Sequence, residues 1–224
     1  VEESSHRLLG LINDVLDFSR LESGRMNLNA VPFNLHETIA NSIGIGRVLI
    51  AEKPVTVRAS IAADVPRGIR GDADRLYQIL LNLIGNAVKF TQQGQVELAV
   101  EVHRGDTPML HFEVRDTGAG IGADIQGQLF EPFEQGTAAR SQKSAGTGLG
   151  LAICKRLLDL MGGRISVGQH AGFATTFYFE IPLVEADVPA EARVAAGAPK
   201  GQSNKGRALR ILVAEDTPAS QLLI

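Results

Sequence analysis

Five polar residues, Arg75, Gln78, Asn82, Asn86 and Lys89, recur at three- and four-residue spacing within RLYQILLNLIGNAVK (75–89). That spacing lines one stripe of an α-helix, and Leu76, Ile79, Leu80, Leu83, Ile84 and Ala87 form the apolar stripe beside it. Two carboxamides and a lysine therefore follow one another a turn apart. An amide oxygen is a hard ligand that suits Mg²⁺, and an ammonium is a compact point charge that suits phosphate. Taken alone, the helix is equally compatible with a solvated face on which the amides do no chemistry.

Two glycine-rich segments bear on that choice. Asp116-Thr-Gly118-Ala-Gly120-Ile-Gly122 follows directly on a strand pattern, and Gly146-Thr147-Gly148-Leu149-Gly150 leads directly into a helix pattern. Neither has the dinucleotide-fingerprint spacing, and the Walker phosphate-loop signature does not occur. Singly, each reads as a turn. Around one helix bearing two amides and a lysine, they make a coherent set. Glycines at a helix start let backbone N–H groups approach a phosphate, with the helix dipole behind them. Asp116 at a strand end can accept from the exocyclic amine that adenine carries where guanine has a carbonyl. Asn86 would hold Mg²⁺ against the phosphates, giving an ATP·Mg²⁺ site outside the Walker class.

The elements that must position these residues follow in order. Residues 2–23 read as one amphipathic helix, with Leu8, Leu9, Ile12, Val15, Leu16 and Phe18 on a stripe broad enough for a helical bundle; it needs a partner, from upstream sequence or a second copy. Residues 26–31 are extended. Asn34 caps a helix running to about Ala51, with Glu37 as its capping-box partner. Residues 54–61 alternate as a strand, Pro66 and Gly68 mark a turn, and Asp72 caps the polar-striped helix, which Gly94 breaks. Residues 95–103 with 109–115, and 164–169 with 175–181, form two hairpins, and 149–161 a helix. The expected fold class is α/β: a two-layer sandwich of a mixed, roughly five-stranded sheet with three helices on one face.

The bulk numbers agree. The 224 residues are 44 % hydrophobic and 21 % charged, as a globular chain requires, and the formal charge of -3 gives no electrostatic case for nucleic acid. Cys154 is the single cysteine, so an internal disulfide and a cysteine-based zinc cluster are excluded; it falls among Leu151, Ile153 and Leu157 as a buried small hydrophobe. No apolar run approaches the ~20 residues needed to cross a bilayer, and the expected location is cytoplasmic, in a protein that can be membrane-anchored elsewhere. Residues 184–207 are rich in Ala, Pro, Gly, Glu and Lys and read as a linker. Beyond them, Leu209 to Ala214 is a buried-type strand ending in Glu215-Asp216, an acidic pair where an open α/β domain places a metal. Both ends read as cut.

NLIGNAVKFT (82–91), DTGAGI (116–121), LFEPFEQ (129–135) and GTGLGLAI (146–153) resemble, in order and spacing, the N, first G, F and second G boxes of sensor histidine kinases. LINDVLDFSRLESG (11–24) is similar to the second helix of their dimerisation and histidine-phosphotransfer hairpin. LRILVAEDTPASQLLI (209–224) is similar to the start of a flavodoxin-like receiver domain. The order of parts resembles a hybrid histidine kinase. This implies a dimerisation-hairpin piece at 1–24, a catalytic domain of the Bergerat-type ATP-binding (GHKL) fold at 25–183, a linker at 184–207 and a receiver start at 208–224.

The resemblance also implies roles. Asn86 would coordinate Mg²⁺, Asn82 would support the metal-phosphate end and Lys89 would contact phosphate. Asp116 would bind the adenine amine in a pocket shaped by Gly118 and Gly120. Gly146, Thr147, Gly148, Leu149 and Gly150 would form the phosphate side of an ATP lid spanning roughly 134–147. Phe130 and Phe133 would anchor its near end, Arg140 and Lys143 lie within it, and Thr176 would bring a hydroxyl near the nucleotide. Glu215 and Asp216 would belong to an incomplete receiver Mg²⁺ site.

Two departures accompany these roles. The family's phospho-accepting histidine lies on the first hairpin helix, followed by an acidic residue, whereas His6 lies on the second and precedes Arg7. Other ATPases of the superfamily carry a glutamate base where this chain has Asn82, which favours phosphoryl transfer over hydrolysis. The implied partners are a second copy through the dimerisation helices, the receiver in cis, and a separate phosphotransfer or response-regulator protein. A non-enzymatic nucleotide-sensing or docking module, and a GHKL ATPase, are the alternatives.

Overall fold

The computed structural model describes residues 12, 15–122, 125–134 and 148–188. Helix α1 covers residues 15–22. It is followed by β1 (Val31–Asn34), α2 (Leu35–Leu49), β2 (Val55–Ile61), β3 (Gly68–Gly71), α3 (Ala73–Phe90), β4 (Gly94–His103) and β5 (Met109–Asp116). A short 3-10 turn (Gln126–Gln128), α4 (Gly150–Leu160), β6 (Arg164–Gly168) and β7 (Thr175–Pro182) complete the domain.

The main sheet has the order β2-β4-β5-β7-β6. Its β2–β4 pair is parallel and its other three pairs are antiparallel, so it is mixed, as expected. A parallel pair requires a crossover, and the segment carrying α3 supplies it. Strict alternation turns Leu110, Phe112, Val114 and Asp116 of β5 to one side, all buried. There Phe112 stacks on Phe179 with ring centroids 4.4 Å apart, within a core that includes Leu76, Leu80, Leu83 and Ile84 of α3 and Ile153 and Leu157 of α4. The other side of the sheet is polar and ionic.

Both expected helix caps form. Asn34 Oδ1 accepts from the Glu37 N–H (3.2 Å) and Asp72 Oδ1 from the Arg75 N–H (3.1 Å). The far end of α3 is held in a way the sequence does not announce. Lys53 Nζ, half-buried just before β2, donates to the carbonyls of Val88, Lys89 and Thr91 at 2.9, 3.3 and 3.3 Å. A cation on the last carbonyls of a helix satisfies orphan acceptors and complements the dipole. Thr91 ends α3, so Gly94, with φ +116°, does not break the helix; it begins β4.

The expected turn at Pro66–Gly68 runs straight into a strand. β3 pairs antiparallel with β1, and on its other side Arg70 N–H donates to Val184 O (2.8 Å) and Ala186 N–H to Gly68 O (3.1 Å). The chain leaving β7 is thus still bonded to the domain beyond residue 183. At the other end, α1 packs Phe18 and Leu21 on the core cluster while Ile12, Val15 and Leu16 remain exposed. None of the described helices is long and apolar enough to cross a membrane.

Candidate nucleotide site

The polar stripe of α3 divides in two. Its first half turns to α1: Gln78 Nε2 donates to Asp17 Oδ2 at 2.9 Å, and Arg75 donates to Gln78 Oε1 at 2.9 Å while lying 3.8 Å from the same aspartate. Its second half turns to the glycine segments. Asn86 Nδ2 donates to Asn82 Oδ1 at 3.0 Å, so Asn86 is oriented by its neighbour one turn back. That bond uses the nitrogen of Asn86 and not its carbonyl oxygen. Lys89 Nζ lies 5.1 Å from the Phe90 ring centroid, one turn beyond.

Asn82 also meets the start of α4. A Cβ on residue 150 would fall on the Asn82 carboxamide, so only glycine lets the two helices approach this closely. Gly148, with φ +73°, accepts at its carbonyl from the Phe133 N–H at 3.0 Å. The two ends of the expected lid therefore meet at one backbone bond. Phe130 packs edge-on to Phe177, whereas Phe133 is 67 % exposed and meets Gly148 through its backbone.

Asp116 ends β5 on the helix side of the sheet and is only 4 % exposed. Burial pushes its carboxyl above the ordinary range, and the Gly118 N–H (2.8 Å to Oδ1) and the Thr175 hydroxyl partly oppose this. A Cβ at residue 118 would come within 2.6 Å of the Phe90 carbonyl and 2.9 Å of Asp116 Oδ1, which ties the glycine segment to the end of α3. Gly120 follows with φ +75°. The pairing register puts Thr175 opposite Asp116 and Thr176 opposite Arg115. The hydroxyl that shares Asp116's face is thus one residue earlier than the sequence suggests.

The structure brings Asn82 and Asn86, in the second half of α3, against the start of α4 at Gly150, and joins Asp116 and Gly118 to the last residue of α3. Gly146, Thr147, Arg140, Lys143, His6, Glu215 and Asp216 lie outside the described residues. His36, which precedes Glu37, lies in α2 with Nε2 3.3 Å from the Val65 carbonyl oxygen. Lys53 and Thr175 are contributors that sequence reasoning missed.

A buried carboxylate facing a glycine turn, amides oriented on a helix and a close glycine helix start define a nucleotide-binding class. The family described as "Histidine kinase-, DNA gyrase B-, and HSP90-like ATPase" matches residues 71–185, and the chain belongs to it. Within that family the chain is similar to the catalytic ATP-binding region of histidine kinases. It is 40 % identical over 185 residues to the signal transduction histidine-protein kinase BarA of Escherichia coli, covering 82 % of this chain and 20 % of BarA. It is 34 % identical over 248 aligned residues to the sensory/regulatory protein RpfC of Xanthomonas campestris, covering 100 % of this chain and 34 % of RpfC. The chain spans between a fifth and a third of these relatives. Full-length ShkA, crystallised with AMPPNP, superposes with a TM-score of 0.72 at 36 % identity over 83 % of this chain and 38 % of ShkA.

Proposed function

We propose that this domain positions ATP·Mg²⁺ for transfer of the γ-phosphate to a histidine on a dimerisation helix outside this chain, for relay to a receiver aspartate. The observation that carries the reading is the Asn86–Asn82 hydrogen bond, closed over by Gly150. It orients a hard oxygen ligand and fills with a carboxamide the place where a hydrolytic base would stand; an amide cannot take a proton from water.

The residues fit the nucleotide. Asp116 is a buried acceptor with two donors of its own, and an adenine amine would add a third. Asn86 would hold the Mg²⁺ through its carboxamide oxygen, Asn82 would hold Asn86, and Lys89 would meet phosphate. Backbone N–H groups from Gly146 to Gly150 would face the phosphates at the start of α4. Bound there, ATP·Mg²⁺ supplies the transferable phosphoryl group and most of the charge compensation that such transfers need. The chain's own work is orientation, with no proton abstraction assigned to any residue.

The partners follow from the same reading: a second copy through the dimerisation helices, the receiver domain begun at residue 208 with Glu215 and Asp216 as its Mg²⁺ ligands, and a downstream phosphotransfer or response-regulator protein, all in the cytoplasm. The full-span alignment with RpfC supports a receiver start after the linker. The test is γ-labelled ATP with Mg²⁺ added to the full-length protein and, separately, to this chain. Acid-labile label on a hairpin histidine of the full-length protein is expected, with none on His6 or His36 of this chain. Rapid phosphate release by this chain would make it an ATPase. Tight nucleotide binding without labelling of the full-length protein would make it a sensing module.

A further inference from the structure

The open face of the sheet carries an ordered set of metal-ligating side chains far from the glycine segments in function. His103 of β4, His111 of β5 and Glu180 of β7 bring one ligand atom each within 4.8 Å of one another. His111 and Glu180 are direct cross-strand partners, and His103 stacks on His111 with ring centroids 4.2 Å apart and planes inclined by 19°. Both Nδ1 atoms lie 3.1 Å from the same carboxylate oxygen, Glu180 Oε1.

The surrounding bonds fix which atoms are available. Glu180 Oε2 pairs with Arg164, the residue opposite it on β6. His111 Nε2 lies 3.1 Å from Glu113 Oε1, and Glu113 Oε2 accepts from Arg115 Nε at 2.7 Å. Arg115 also donates to Glu97 Oε1 at 3.1 Å.

Both ring nitrogens of His111 face carboxylate oxygens at 3.1 Å, and a ring proton on Nε2 is the tautomer that Glu113 would hold. Its Nδ1 is then a lone pair aimed at another acceptor, Glu180 Oε1, at hydrogen-bond distance. In that tautomer a cation belongs between them. Nδ1 protons on both rings would give the same contacts without a metal, and ¹⁵N spectra distinguish the two arrangements. One divalent cation answers both nitrogens and the oxygen together.

We propose that His103, His111 and Glu180 form a transition-metal site of the zinc class on the open face of the sheet. Two imidazoles and one carboxylate are the donor set of zinc rather than of Mg²⁺ or Ca²⁺, which take oxygen ligands. Glu113 behind His111 is the carboxylate partner that fixes the tautomer and orientation of a metal-bound histidine. Arg164 and Arg115 hold the two carboxylates in place. His103 is exposed, leaving room for water to complete the coordination.

The test uses tag-free, metal-stripped protein titrated with Zn²⁺ against a chromophoric chelator, and with Co²⁺ followed by its visible absorption. One equivalent of Zn²⁺ is expected, together with a Co²⁺ spectrum of four- or five-coordinate nitrogen–oxygen type. The double variant His103→Gln/His111→Gln should lose at least tenfold in affinity while still binding nucleotide, and Glu113→Gln should lose about tenfold. Absence of a stoichiometric site in the unaltered protein would overturn the proposal. So would undiminished binding in the folded double variant, or ¹⁵N spectra showing both rings protonated at Nδ1 at neutral pH and insensitive to Zn²⁺.

Discussion

Asn86 donates its carboxamide N–H to Asn82 Oδ1 across 3.0 Å, one turn away on α3. Each amide thereby has a defined orientation, with Asn82 held in turn by the close approach of Gly150. The pair is one mutually oriented unit.

Removing either member should therefore separate Mg²⁺-dependent from Mg²⁺-independent nucleotide affinity. Asn86→Ala is expected to weaken ADP or ATP analogue binding by tenfold or more in Mg²⁺, with little change in EDTA. Asn82→Ala should give a smaller loss of the same kind, since it removes the bond that orients Asn86, worth about 1 kcal/mol. Calorimetry with and without Mg²⁺ measures both; equal losses in the two conditions would assign the amides to packing.

Gly150→Ala tests the contact between the helices. Alanine favours a helix over glycine by about 1 kcal/mol, which offsets part of the clash with Asn82. Thermal stability should shift by only a few degrees, while Mg²⁺-nucleotide affinity falls severalfold because Asn82 is displaced. A loss of stability with unchanged affinity would show that Asn82's position does not matter to the ligand.

Asp116→Asn should do the opposite. Burial raises this carboxyl above its ordinary value of 3.8, so the folded protein holds the proton more tightly than the unfolded chain. The stability this contributes is complete below pH 3.8 and is lost as pH rises through the folded value. At neutral pH the ionised group is a net cost. The variant should melt higher at pH 7, by a few degrees for a change of about 1 kcal/mol, and the gain should shrink as pH approaches 3.8. Discrimination of adenine from guanine nucleotides should fall in parallel, as competition binding would reveal.

Lys53→Met removes three donors from the C-terminal carbonyls of α3. A loss of about 1–2 kcal/mol is expected in urea unfolding, together with faster amide exchange over the last turn of α3. Unchanged exchange there would mean that water replaces the ammonium without cost.

The sequence conveyed what is local or periodic. Alternation placed β4, β5 and β7, the 3.6-residue period placed α3, and Asn34 and Asp72 announced their caps because cap and donor are three residues apart. β3 stayed hidden because four residues with two glycines carry no period and its partner strand lies more than thirty residues away. Lys53 reaches α3 through space. The choice between Thr175 and Thr176 depends on the β5–β7 register, which neighbouring threonines cannot reveal. The ionic face was not legible in the sequence, because His103, His111 and Glu180 meet only once three strands align.

β3 lies between the incoming strand β1 and the outgoing residues 184–186, with Ile69 facing Phe33 on one side and Glu185 on the other. The chain enters and leaves the domain at adjacent points of one small sheet. A unit built so can be spliced into a longer polypeptide as a closed cassette, because its neighbours are joined there by one short stretch of paired backbone. Force passed between the flanking segments through this sheet would cross β3, whereas movement of α1 reaches α3 directly through Asp17 and Gln78.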